Sequence, residues 1–208
     1  MSKVTGKPPR KASRDVRRRQ LIEATIDVLA TRGFSSLTVS DVSRAAGLSV
    51  GIVNFHFESK AILLAETLKY LVLQYKNNWM RAVAQAGDGP AQKLYAMTSS
   101  DFHEDICTLR TLQAWVSFWA EAQSRPAFDE MYGKEEAEYL KTLEKLCDQV
   151  EAFSGKANAL VINALTDGLW LALAQTPQGL SRDEALSALH ACLAAFYPAH
   201  FNRDGPIN

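Results

Sequence analysis

Trp115, Phe118 and Trp119 stand at i, i+3 and i+4, so on one helix their rings would share a face. The face of an aromatic ring attracts a cation, and a quaternary ammonium, which cannot donate a hydrogen bond, depends on that attraction most. One carboxylate beside the rings would complete such a site. Asp167 can supply it, three residues before Trp170 in the largely apolar run 159–174. A carboxylate there is costly unless it is paired or binds something. Phe102 is a further candidate wall. Two plainer readings stay open: the rings as ordinary core, and Asp167 in a helix–helix salt bridge or on an exposed turn.

A second chemistry lies upstream, between Leu37 and Lys60. Thr38 is a good N-cap for a short helix carrying Val39, Val42, Ala45 and Ala46 on one face, and Gly47 can turn the chain at its end. Ser49 caps a second helix that packs Ile52 and Val53 inward. Helices this short need neighbours to hold them. The pattern is a helix-turn-helix, whose second helix enters the major groove of DNA. Thr38 and Ser49 can also meet phosphates, while Val50, Gly51, Asn54 and Phe55 are the non-core positions near the groove. Asn54 has the amide for bidentate reading of adenine. Gly51 either lets the backbone approach or is merely tolerated. Lys60 is the best candidate for phosphate neutralisation, and Arg17 and Arg18, with Arg10, Lys11, Arg14 and Arg19, can follow the backbone or minor groove. The other reading of that charge run is a solvated face.

The charge distribution agrees. Residues 1–60 hold eleven Lys and Arg against five Asp and Glu, a balance of +6, whereas residues 61–208 hold twelve against eighteen, a balance of −6. Only the N-terminal end suits a polyanion. Hydrophobic content of 47% and charged content of 22% are ordinary for a soluble globular chain of 208 residues. No apolar run approaches membrane-spanning length, the N-terminus lacks a signal-peptide core, and a cytoplasmic location with no membrane partner is expected. Cys107, Cys147 and Cys192 lie far apart and read as small buried hydrophobes. His56, His103, His190 and His200 are scattered, and no nucleophile motif, metal-ligand spacing or phosphate loop is present. An enzyme, a metal site and a cofactor are therefore not expected.

The elements that must position these groups are all helical. Residues 1–13 read as a flexible basic arm. A helix follows from about 14 to Arg32, with Val16, Leu21, Ile22, Thr25, Ile26 and Leu29 as its apolar stripe and Gly33 as its stop. After the helix-turn-helix, Ser59 caps a long helix carrying Ile62, Leu63, Leu64, Leu68, Leu71, Val72 and Tyr75. Further helices are predicted near 90–103, 108–123, 126–152, 155–175 and 182–197, with no credible strand. That is an all-α chain of about nine helices: a helix-turn-helix unit over 14–60 and a helical unit over 61–203.

Arg17-Arg-Arg-Gln-Leu-Ile-Glu-Ala-Thr25, Gly33-Phe34, Thr38-Val-Ser-Asp-Val-Ser-Arg-Ala-Ala-Gly47 and Asn54-Phe-His-Phe-Glu-Ser-Lys60 together resemble the DNA-binding module of the TetR family of one-component repressors. The resemblance implies a homodimer, an operator in double-stranded DNA, and a C-terminal ligand-binding domain. It also makes His56 a phosphate contact or a packed ring rather than a metal ligand, and places a dimer interface on helices 155–175 and 182–197, with small residues at Ala159, Ala164, Ala172, Ala188 and Ala191. Phe102, Leu112-Gln-Ala-Trp-Val-Ser-Phe-Trp-Ala120 and Leu165-Thr-Asp-Gly-Leu-Trp-Leu171 are similar to the choline-responsive BetI-type branch of that family. This implies an inducer such as choline or betaine aldehyde and control of betaine genes. The alternative is a TetR-type repressor of an unrelated small hydrophobic ligand. The segment Val53-Asn-Phe-His-Phe57 departs from the BetI-type pattern toward the general family.

Overall fold

The computed structural model describes residues 10–122, 126–152, 155–176 and 178–207. Among them nine helices follow one another: α1 (Arg10–Ser36), α2 (Val39–Ala45), α3 (Val50–His56), α4 (Lys60–Gln85), α5 (Pro90–Ser100), α6 (Leu109–Ala122), α7 (Pro126–Val150), α8 (Gly155–Gln175) and α9 (Arg182–Phe196). A two-stranded antiparallel hairpin, β1 (Phe201–Asn202) and β2 (Gly205–Pro206), closes the described chain and was not expected from the sequence. It is two residues long on each side, too short for alternation to be visible.

Residues 1–9 of the expected arm lie outside the described residues, whereas 10–13 already belong to α1. The kink of α1 falls at Gly33, whose φ of 73° is open to glycine and strained for an L side chain. Beyond it Phe34 and Leu37 turn inward. The buried stripe of α1 begins at Leu21 and includes Ile22, Thr25, Ile26 and Leu29. Val16 is a correction: it is 63% exposed, in a first stretch of the helix whose residues 14–17 all face solvent.

The helix-turn-helix is built by caps. Thr38 and Asp41 form a reciprocal capping box, with the Asp41 N–H donating to Thr38 Oγ1 at 3.1 Å and the Thr38 N–H donating to Asp41 Oδ2 at 3.2 Å. Arg32 and Arg44 both pair with Asp41, and the Thr38 hydroxyl and these charges hold its carboxyl below the usual range. Gly47 turns the chain at φ 64°. Ser49 and Ser59 cap α3 and α4 by accepting from the Ile52 and Ile62 N–H groups. Val53 is buried, but Ile52 is 37% exposed and does not pack inward as expected. A seven-residue helix buries one narrow stripe, and Val53 with Phe57 fills it. Ala45 and Ile62 are likewise exposed rather than core, each one position off its helix's buried stripe.

One continuous core runs from α1 through the C-terminal hairpin. Helix α6 packs against α1 on one side and α8 on the other, while α7 packs on α8, α5 and α4. Helix α8 overturns the expectation that no run reaches membrane-spanning length: among the described residues it is the one helix long and apolar enough to cross a membrane by length and composition. Its outer face carries Leu160, Val161, Ala164, Gly168 and Leu171, all exposed, beside Ala188, Ala191 and Ala195 on α9. Ala159 does not join that face, because it is buried within the chain, and Ala172 is half-buried.

Candidate functional site

Helices α4, α6, α7 and α8 enclose a cavity lined by all four tryptophans of the chain, Trp79, Trp115, Trp119 and Trp170, together with Tyr75, Tyr132 and Tyr139. The rings are mutually braced. Trp119 and Trp170 stack at 6.4 Å and 21°, Trp115 lies 5.6 Å from Tyr132, and Tyr75 meets Trp170 edge to face at 5.7 Å. The space open to the centre of a water molecule is about 30 Å³. One water needs roughly 10–15 Å³ by the same measure, so the cavity admits a compact group rather than a long chain.

Its charge is negative. Lys76 is taken by Glu135, which lines the cavity, and by Glu138, which does not, each at 2.7 Å, and the remaining lining carboxylates are Asp167 and Glu136. Asn163 donates to Asp167 Oδ2 at 3.1 Å. Burial, with Glu136 beside it, pushes the Asp167 carboxyl up to about 6. Behind the rings Asp101 is fully buried, accepts from the Tyr139 hydroxyl at 2.7 Å, and is pushed up to about 7 by burial. The Asp101 carbonyl accepts from Trp170 Nε1 at 3.1 Å, which fixes that indole. Burial and the Asp101 charge also drive the Tyr75 and Tyr139 hydroxyls well up, so both stay neutral donors. Aromatic faces around low-dielectric carboxylates have the chemistry that suits an organic cation.

Trp115, Trp119, Asp167 and Trp170 thus meet, as expected. Phe118 and Phe102 do not line the cavity, and both expectations are corrected. Phe118 packs edge to face on Phe34 of α1, 5.8 Å away. At about 100° per residue, Phe118 and Trp119 point to different sides of α6 even though each neighbours Trp115. Phe102 is core just past α5. The sequence reading missed Tyr75, Trp79, Tyr132, Tyr139, Asp101 and Thr166. The spacing Tyr132–Tyr139 on α7 and Tyr75–Trp79 on α4 is helical, but nothing in it says that the two faces converge.

Across α6 from the cavity lies a clamp onto α1. Arg110 Nη2 donates to Glu23 Oε2 at 2.9 Å and to the Glu23 carbonyl at 2.6 Å, and Arg110 Nε pairs with Asp27. Ser117 reaches the Leu29 carbonyl at 3.2 Å, and Ser35 donates to Glu121 at 2.9 Å. One helix therefore carries cavity rings on one face and grips α1 with the other.

At the N-terminal end, Thr38, Ser49, Val50, Gly51, Asn54 and Phe55 all face solvent, with Phe55 73% exposed, and Lys60 is partly exposed at the start of α4. A Cβ placed on Gly51 would meet only Ser49 Oγ at 3.8 Å, so the helix surface is open there. Arg17 is exposed and donates to Gln20. Arg18 is occupied within the protein: it donates to the His56 carbonyl at 2.8 Å and to Glu66 at 3.0 Å, with its guanidinium 4.5 Å over the Phe57 ring. It ties α1 to the end of α3 and to α4, which makes it a positioning residue. Burial and the charges of Arg14, Arg18 and Arg17 lower the His56 imidazole, keeping it neutral at pH 7.

Two family models match separate parts of the chain. Residues 90–198 fit the family described as BetI-type transcriptional repressor, C-terminal, and residues 21–67 fit bacterial regulatory proteins, tetR family. The chain is 30% identical to an HTH-type transcriptional regulator BetI from Stenotrophomonas maltophilia, over 78% of this chain and 84% of that protein. It is 28% identical to a BetI of Escherichia coli K12, over 86% and 93%. A transcriptional regulator from Pseudomonas aeruginosa PAO1 superposes with a TM-score of 0.76 at 26% identity, covering 88% and 91% of the two chains. A regulator from Saccharomonospora viridis, solved in complex with choline, superposes at 0.75 with 19% identity, covering 85% and 95%.

Proposed function

Because the chain belongs to the TetR family of bacterial transcriptional repressors, with a C-terminal domain of the BetI type, we propose that it binds a palindromic operator as a homodimer and releases it when choline or betaine aldehyde fills the aromatic cavity. It is a regulator and not an enzyme. On this reading it acts in the cytoplasm and controls genes of betaine synthesis or uptake. The observation that carries the ligand assignment is the cavity of four tryptophans and three tyrosines around Asp167. A permanent cation gains from ring faces and a desolvated carboxylate what a neutral hydrophobe would not. The choline bound to the Saccharomonospora viridis regulator supports the same choice.

Residues 14–60 serve the DNA and 61–203 the ligand and the dimer. Thr38, Ser49, Arg17 and Lys60 meet phosphates, His56 packs behind them, and Val50, Gly51, Asn54 and Phe55 face base edges. The exposed apolar faces of α8 and α9 are covered by the same faces of a second copy, as a self-complementary interface requires. Two copies then present two α3 helices to successive major grooves. Ligand acts by linkage: it favours a dimer whose α3 spacing no longer matches, and 1–3 kcal/mol of coupling weakens operator binding by roughly 5- to 150-fold.

Isothermal titration with choline, betaine aldehyde and glycine betaine, paired with operator release followed by fluorescence anisotropy, tests this. Heat and release by a quaternary ammonium are expected. If none of the three gives either, the ligand is an unrelated small hydrophobe and the choline reading falls.

A further inference from the structure

Most threonine hydroxyls in and just beyond these helices share a habit that Thr166 breaks. Thr25, Thr67 and Thr98 are fully buried and donate to the carbonyl four residues earlier, at 2.7, 2.8 and 2.9 Å. Thr31, Thr142 and Thr176 do the same in the open, each at 2.8 Å. This back-bonding is how a helical threonine satisfies its hydroxyl where water is absent. Thr166, in the middle of α8 and 5% exposed, makes no hydrogen bond although its Oγ1 is shielded from solvent. An unpaired buried hydroxyl is costly, so its position asks for an external partner.

Thr166 lines the aromatic cavity. Asn163, Asp167 and Trp170 stand at i−3, i+1 and i+4 from it on α8 and line the same cavity, so cation-binding and hydrogen-bonding groups lie within two turns of one helix. The small volume of the cavity keeps the two ends of any occupant close together.

We infer that Thr166 Oγ1 is the group in this cavity that reads the hydroxyl of a short quaternary alcohol and sets the preference of the site for that alcohol over its hydroxyl-free analogue. The inference rests on the cation reading above and names the residue behind its selectivity. A bare tetraalkylammonium leaves Thr166 unpaired. A zwitterion whose far end is a carboxylate brings that charge toward Asp167 and Glu136, with Asp101 behind them. A short quaternary alcohol satisfies the rings and the hydroxyl together.

The test compares choline with trimethyl(propyl)ammonium, in which a methyl replaces the hydroxyl at nearly constant shape. Calorimetry on the full chain is expected to give about tenfold tighter binding of choline, the scale of one hydrogen bond to an otherwise unpaired buried group. Thr166→Val keeps the shape and removes the hydroxyl. It should bring the two cations within about twofold of each other and leave the affinity for trimethyl(propyl)ammonium unchanged. Thr166→Ser should keep the preference for choline, and serves as the second variant should the valine protein fail to fold. Equal binding of both cations by the wild type, or a preference that survives Thr166→Val, overturns the hydroxyl subsite while the cation reading stands. Binding of neither cation overturns both.

Discussion

Arg110 on α6 grips Glu23 on α1, Nη2 to Oε2 at 2.9 Å, and five residues further along α6 Trp115 forms a wall of the aromatic cavity. The two contacts lie on different sides of one short helix. A ligand that moves the Trp115 face by a fraction of an ångström therefore moves the helix that also fixes α1. Helix α1 in turn holds α2 through Gln20, which donates to the Ala46 carbonyl at 2.7 Å, and holds α3 through Arg18. Packed helices of this kind shift as bodies rather than bend.

Arg110→Ala is expected to separate ligand binding from operator release. Choline affinity by calorimetry should stay within about threefold of wild type, while the ratio of operator affinities without and with ligand should fall at least fivefold. The loss of stability should be small, about 1 kcal/mol or less, since the Arg110 pairs are more than one-third exposed. An unchanged affinity ratio would remove the clamp from the pathway.

Cation binding should weaken as pH falls through about 6, the point to which burial has raised Asp167. Below it the carboxyl is neutral and attracts the ligand less; above about 7 the affinity should level off. Glu136 on α7 lines the same space, and Asp101 lies behind the rings. Asp167→Asn should bind about tenfold more weakly at pH 8 and lose most of the slope between pH 5 and 7. A slope as steep as wild type in that variant would contradict the assignment.

Asp101 makes a prediction about stability. Its folded-state carboxyl lies near 7, above the ordinary 3.8, so the folded protein holds this proton more tightly than the unfolded chain. Stability from this group is full below about pH 4 and is lost as pH rises toward 7. Asp101→Asn removes the buried charge, keeps an acceptor for Tyr139, and should raise thermal stability at pH 8 by up to about 4 kcal/mol. The gain should vanish near pH 4. A melting curve with no pH-dependent difference between the two proteins would refute it.

On the DNA side, Asn54→Ala should cost 1–3 kcal/mol on the operator, roughly, and much less on scrambled DNA, if the exposed amide reads adenine. An equal loss on both would make Asn54 a backbone contact. Lys60→Ala should weaken both DNAs alike and lower the salt slope by about one. With about six phosphates neutralised per dimer, wild-type affinity should drop on the order of a thousandfold between 50 and 200 mM salt. A flat salt curve would exclude the basic helix from the interface.

Periodicity and caps are local properties, and the sequence carried them. Thr38, Ser49 and Ser59 cap the three helices they were expected to cap, and Gly33 and Gly47 turn the chain where they were expected to. The aromatic spacing on α6 and the Asp167–Trp170 pair on α8 also pointed to a real cavity, because i, i+3 and i+4 neighbours are fixed by helix geometry alone. What the sequence could not decide was which side of each helix meets which neighbour. Phe118 belongs to the α1 contact and Trp119 to the cavity, although they are adjacent in the chain. Tyr75, Trp79, Tyr132 and Tyr139 join the cage only because α4, α7 and α8 are brought together by long-range packing. Convergence of that kind depends on helix crossing and rotation, which one-dimensional spacing leaves free.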